Sequence, residues 1–77
     1  MSWKNVITDP DEIKVFTALD GPQITWRTMG GIARQAGLSE ERVAEILDRY
    51  NLKLTRQAET PSISGSALVG LIEKVGA

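Results

Sequence analysis

Cysteine and histidine are both absent from this chain. Without cysteine there is no disulfide, no thiolate metal site and no thiol nucleophile. Without histidine the usual general base is missing, as is the commonest nitrogen ligand for metals. Aromatics are scarce too: only Trp3, Phe16, Trp26 and Tyr50. The core is therefore expected to be aliphatic. No apolar run approaches the roughly 20 residues that span a bilayer. The opening Met1–Glu12 has no apolar stretch of the secretory kind. A non-catalytic, cytoplasmic module is expected, without cofactor, metal or membrane partner.

What is present fits one small folded domain. The 77 residues are 42% hydrophobic and 25% charged, a composition that argues against disorder. A chain this short buries only about 60% of its unfolded surface, so modest stability is expected. Nine Lys and Arg stand against ten Asp and Glu, for a formal charge of −1. Dedicated DNA-binding domains are often clearly basic. This balance does not forbid nucleic acid, but it makes the local layout of charge decisive.

Three helices can be read from caps and periodicity. Asp9 suits an N-cap, Pro10 suits the first helical position, and Glu12 is placed to complete a capping box. Ile13, Phe16 and Leu19, with Val15 beside them, give an apolar face, and Asp20-Gly21-Pro22 ends it. This predicts a helix over about 10–20, after an extended segment 1–9. Gln23–Trp26 reads as a short edge strand. Thr28 caps a second helix over 28–36, carrying Ile32, Ala33 and Ala36. Gly30-Gly31 lacks the surroundings of a phosphate loop, with no following Lys-Ser or Lys-Thr. Ser39 caps a third helix over 39–50, whose Val43, Ile46, Leu47 and Tyr50 form one buried stripe. Glu45 and Arg49 are placed to pair along it, and Asn51 is placed to end it in a left-handed turn.

The remainder alternates. Leu52–Arg56 reads as part of a strand over about 52–57, with Leu52 and Leu54 inward. Glu59–Ser66 is turn-rich. Residues 67–75 fit either a strand with Ala67, Val69, Leu71 and Val75 on one face, or a helix with Leu68, Leu71, Ile72 and Val75 in a stripe. The strand is favoured, because Leu52–Arg56 otherwise lacks a partner. Its other face, Leu68, Gly70 and Ile72, then needs a cover. Trp3, Val6 and Ile7 of the N-terminal segment are one possible cover. A partner or a second copy of the chain is the other.

The most informative stretch is Ile32-Ala33-Arg34-Gln35-Ala36-Gly37-Leu38-Ser39, followed by Val43 and Ile46-Leu47. Ala33 allows two helices to cross closely, Gly37 accepts a positive φ, and Leu38, Val43 and Ile46 fill the wedge between them. This constellation resembles the helix-turn-helix motif. With the helix before it and the hairpin after it, residues 10–75 resemble the winged-helix family. Trp26-Arg27-Thr28 ahead of Gly31-Ile32-Ala33 resembles small prokaryotic winged-helix modules appended to larger proteins. The resemblance implies an α+β fold of three helices and a C-terminal β-hairpin wing. It also implies a reading helix at Ser39–Tyr50 and a wing tip at Thr60–Ser66.

Two uses of that scaffold compete. For duplex DNA, the contact candidates are Arg34, Ser39, Arg42, Arg49, Lys53 and Arg56. Off its buried stripe, however, the reading helix carries Glu40, Glu41, Glu45 and Asp48 against Arg42 and Arg49. That excess of carboxylates opposes the approach of phosphates. For a protein partner, or a host protein to which the domain is attached, the contact candidates are Trp3, Ile63, Leu68 and Ile72. A protein-interaction or regulatory role is favoured for this reason. A homodimer through the hairpin or the termini is a third possibility. Catalysis is not expected: Ser62, Ser64 and Ser66 have no histidine to activate them, and the carboxylate pairs sit at helix starts, where capping explains them.

Overall fold

The computed structural model describes residues 3–22, 25–63 and 65–76. It is an α+β arrangement of four α-helices and a small three-stranded antiparallel sheet. In chain order the elements are α1 (Pro10–Leu19), β1 (Arg27–Thr28), α2 (Met29–Ala36), α3 (Glu40–Arg49), β2 (Thr55–Gln57), β3 (Leu68–Leu71) and α4 (Ile72–Val75). Within the segment expected to be extended, Trp3–Asn5 forms one turn of 3-10 helix.

The three expected N-caps are made as the sequence predicts. Asp9, Thr28 and Ser39 each accept, through a side-chain oxygen, the amide three residues on, from Glu12, Gly31 and Arg42 respectively, all at 3.1 Å. Each satisfies one amide that the helix start leaves without a partner. Gly37 follows α2 with φ 71, the left-handed conformation that lets the chain turn at once into α3. The apolar face of α1 is rotated from the expected one. Val15, Phe16, Ala18 and Leu19 are buried with Glu12, while Ile13 is exposed.

Most of the sheet differs in extent from the sequence reading. Strand β1 lies at Arg27–Thr28, not 23–26; Gln23 and Ile24 lie outside the described residues. The strand expected from residue 52 begins only at Thr55, because Tyr50–Thr55 is a turn. The carbonyl of Tyr50 accepts the amides of Lys53, Leu54 and Thr55, and Thr55 accepts that of Leu52 at 2.8 Å. Leu52, expected inward, is 76% exposed. Leu52, and not Asn51, takes the positive φ, 62°.

Strand β3 lies between the other two, with Thr28 opposite Leu68 and Arg56 opposite Gly70. It stops at Leu71, and residues 72–75 are helical instead of extended. The reason is visible at Gly70. A Cβ there would stand 2.7 Å from the Thr25 carbonyl oxygen, 2.9 Å from Val75 and 3.0 Å from Trp26. The missing side chain lets α4 fold Val75 back, and lets Trp26 lie across the outer face of the sheet. At Gly70 that face is covered from within the chain, by Trp26 and Val75, while Leu68 and Ile72 stay partly exposed. Trp3 and Ile7 instead enter the core, which also holds Phe16, Ile32, Val43, Ile46, Val69 and Leu71. Trp3, Phe16 and Tyr50 form an aromatic row, with centroids 5.5 and 5.4 Å apart.

Candidate interaction surfaces

The residues that shape the outward face of α3 are anchored on α1. Glu12 is buried, 4% exposed, and accepts hydrogen bonds from Arg49 and from the Tyr50 hydroxyl, the latter at 2.6 Å. Its carboxylate is thereby drawn away from the capping box and across to α3. Arg42 reaches Asp11 at 3.3 Å, stands 4.0 Å from Asp9, and also pairs with Glu45. Arg49 pairs with Glu12 instead of Glu45. These contacts have electrostatic consequences. Hydrogen bonds from Arg42 to Glu45 and then Asp11 raise the guanidinium pKa. The hydrogen bond to Glu12, followed by burial, raises that of the Tyr50 phenol.

With both arginines tied, α3 presents Glu40, Glu41, Ala44, Glu45, Asp48 and the half-exposed Arg49 to solvent. A groove of about 320 Å³ separates the helix from the sheet. Met29, Ala44, Leu47 and Val69 line its apolar part, and Asp48, Asn51, Thr55, Arg56 and Gln57 its polar part.

The residues expected to meet DNA do not assemble into one surface through their side chains. The Ser39 hydroxyl is taken by the helix cap. Arg42 and Arg49 are engaged with carboxylates. Arg56 stacks over Trp26 at 5.7 Å and donates to the Gly76 carbonyl at 3.3 Å. Arg34 is exposed on α2, beside a shallow hollow it shares with Arg27, Gly31 and Gln35. Lys53 is exposed in the turn after α3 and lines a different hollow. Among the described residues neither Arg34 nor Lys53 has a side-chain ion pair.

Of the residues expected to meet protein, two come together. Trp3 and Ile72 line the same hollow of about 350 Å³ as Lys53, Leu54, Leu71 and Glu73. Trp3 is only 5% exposed and donates its indole N–H to Asp20 at 3.0 Å, so it forms a wall and not a projecting anchor. Leu68 is half-buried in β3, away from that hollow. Ile63 is fully exposed in the loop joining β2 to β3. Backbone and hydroxyl bonds between Ser62 and Ser66 pin that loop.

Sequence reading missed Leu52 as a surface residue, because alternation placed it inward. It also missed Glu12 as the link between α1 and α3. The capping pattern offered that residue a nearer partner, and nothing local signalled Arg49, 37 positions away.

Among the described residues no group of His, Cys, Asp or Glu is placed to hold a metal ion, and no helix is long and apolar enough to cross a membrane. Comparison with protein-family models, with curated proteins and with solved structures finds no match for this chain.

Proposed function

We propose that this chain is a non-catalytic winged-helix domain that binds a protein partner, in an adaptor or regulatory role. The fold part of the reading is supported by element order and strand order together. Helix, strand, two helices across a three-residue turn, then two strands with β3 between β1 and β2, is the winged-helix order. In that scheme α3 is the reading helix and the loop carrying Ile63 is the wing.

The observation that carries the function is the capture of Arg42 and Arg49 by the carboxylates of α1. It leaves the face that would enter a DNA groove with Glu40, Glu41 and Asp48, and with Glu45 paired to Arg42. Each phosphate approaching that face meets repulsion where a DNA reader supplies a cation. The groove beside α3, part apolar and part polar, suits a protein segment better.

Two measurements test the reading. Titration of isotope-labelled protein with mixed-sequence duplex DNA at low and high salt is expected to leave the amides of α3 unshifted. Salt-sensitive shifts at Arg34, Ser39–Arg49 and the loop around Ile63 would overturn it and identify a DNA reader. A photo-cross-linking residue at the exposed Ala44 is expected to give a discrete protein adduct in cells, and the same residue at Lys14 is expected to give none.

A further inference from the structure

We infer that the hollow between Trp3, Leu54 and Ile72 is half of a symmetric contact between two copies of this chain, filled in each copy by the other's Leu52. The argument begins with Leu52 itself. It is 76% exposed and has φ 62, held by its amide's bond to the Thr55 carbonyl oxygen at 2.8 Å. A leucine there places a branched apolar side chain in water, on backbone that a β-carbon disfavours. Glycine or asparagine would serve the turn better, so the turn alone does not account for this side chain.

Its two successors, Lys53 and Leu54, line the hollow. Trp3, Leu71 and Ile72 supply apolar walls, and Glu73 lines the same space. Neither Lys53 nor Glu73 has an ion pair among the described residues. An apolar hollow with one cation and one anion thus adjoins, through the bond from Leu52 to Lys53, an exposed apolar residue. A two-fold contact requires this self-complementarity, because the same patch must serve as both partners. Across such an axis Leu52 enters the opposite hollow, and Lys53 of one copy faces Glu73 of the other. An unrelated partner would need no projection beside the hollow. The patch contains no residue of α3, so the contact does not depend on what α3 binds. Its small extent makes the dimer weak and concentration-dependent.

Sedimentation equilibrium of the full chain, from tens of micromolar to about a millimolar, reads the association. Mixed-label NMR is expected to show intermolecular contacts from the Leu52 methyls to Trp3 and Ile72. Leu52→Asn is expected to weaken self-association by about tenfold or more. It is also expected to leave thermal stability at or above the parent value, because asparagine tolerates the left-handed turn. That second readout separates a lost contact from a damaged fold. Lys53→Glu and Glu73→Lys are each expected to weaken association several-fold, and their combination to restore it. A monomer throughout the range would overturn the inference, as would a dimer insensitive to Leu52→Asn or a double charge swap no better than the singles. None of these results bears on the cross-linking at Ala44, so the dimer and the protein-binding reading of α3 stand or fall separately.

Discussion

At Gly70 a single missing side chain governs how the sheet is closed. The Thr25 carbonyl, Val75 and Trp26 all occupy the space a β-carbon would need. The nearest contact, 2.7 Å, is to backbone, which cannot rotate aside as a side chain can. Gly70→Ala is therefore expected to destabilise the fold by about 1–3 kcal/mol, the usual cost of overpacking. Chemical denaturation would measure it. The disturbance should be largest at Trp26, visible as a change in tryptophan fluorescence, because its ring forms part of the cover.

The element that sets the character of α3 is α1. Glu12 is a buried carboxylate, and Arg49 and Tyr50 are the groups that satisfy it. Arg49→Ala leaves it with the phenol alone. The expected cost is about 1–3 kcal/mol, from an ionised buried group losing a partner. Arg49 is itself half-exposed, so the penalty arises on the glutamate. A pH prediction follows from the phenol. Tyr50 titrates above its ordinary value of 10.0, raised first by its hydrogen bond to Glu12. A raised pKa means the protonated form is favoured in the folded state. That stabilisation is fully present below the ordinary phenol value and is lost as pH rises through the raised one. Stability is thus expected to fall above about pH 10, and less steeply in Tyr50→Phe. Tyr50 is the only tyrosine, so phenolate absorbance follows this one group.

Across the whole molecule, Asp20 joins the two ends of the described chain. It accepts the indole N–H of Trp3 and stands 3.5 Å from Lys74 Nζ, which also donates to the Gly21 carbonyl at 2.6 Å. The 3-10 turn at the start and α4 at the end therefore meet at the C-terminal end of α1. Asp20→Ala is expected to release both at once. Hydrogen exchange would show faster exchange at Trp3–Ile7 and Ile72–Gly76, with the amides of α3 unchanged. Equal loss of protection through α3 would show instead that the ends belong to the global cooperative unit.

The three main helices were legible because their signals are local. Asp9, Thr28 and Ser39 each cap the amide three residues away, and Gly37 needs only its own freedom at φ. The acidic excess of α3 was legible for the same reason, being a property of one short segment. The strand limits were not, because Leu52 and Leu54 alternate as a strand would. What overrides that pattern is the Tyr50 carbonyl gathering three amides into a turn. The helical end at 72–75 was not legible either, since it depends on Trp26 and Val75 sharing the space left by Gly70. Nor was the partnering of Arg49, which local spacing assigned to Glu45 and the fold assigned to Glu12. The sequence by itself determined where the three main helices start and which stripe of α3 is buried, but not the face of α1, where Glu12 is buried and Ile13 exposed. Tertiary structure alone decided which charges are spent inside the fold and which remain on its surface, because those pairings join residues that only packing brings together.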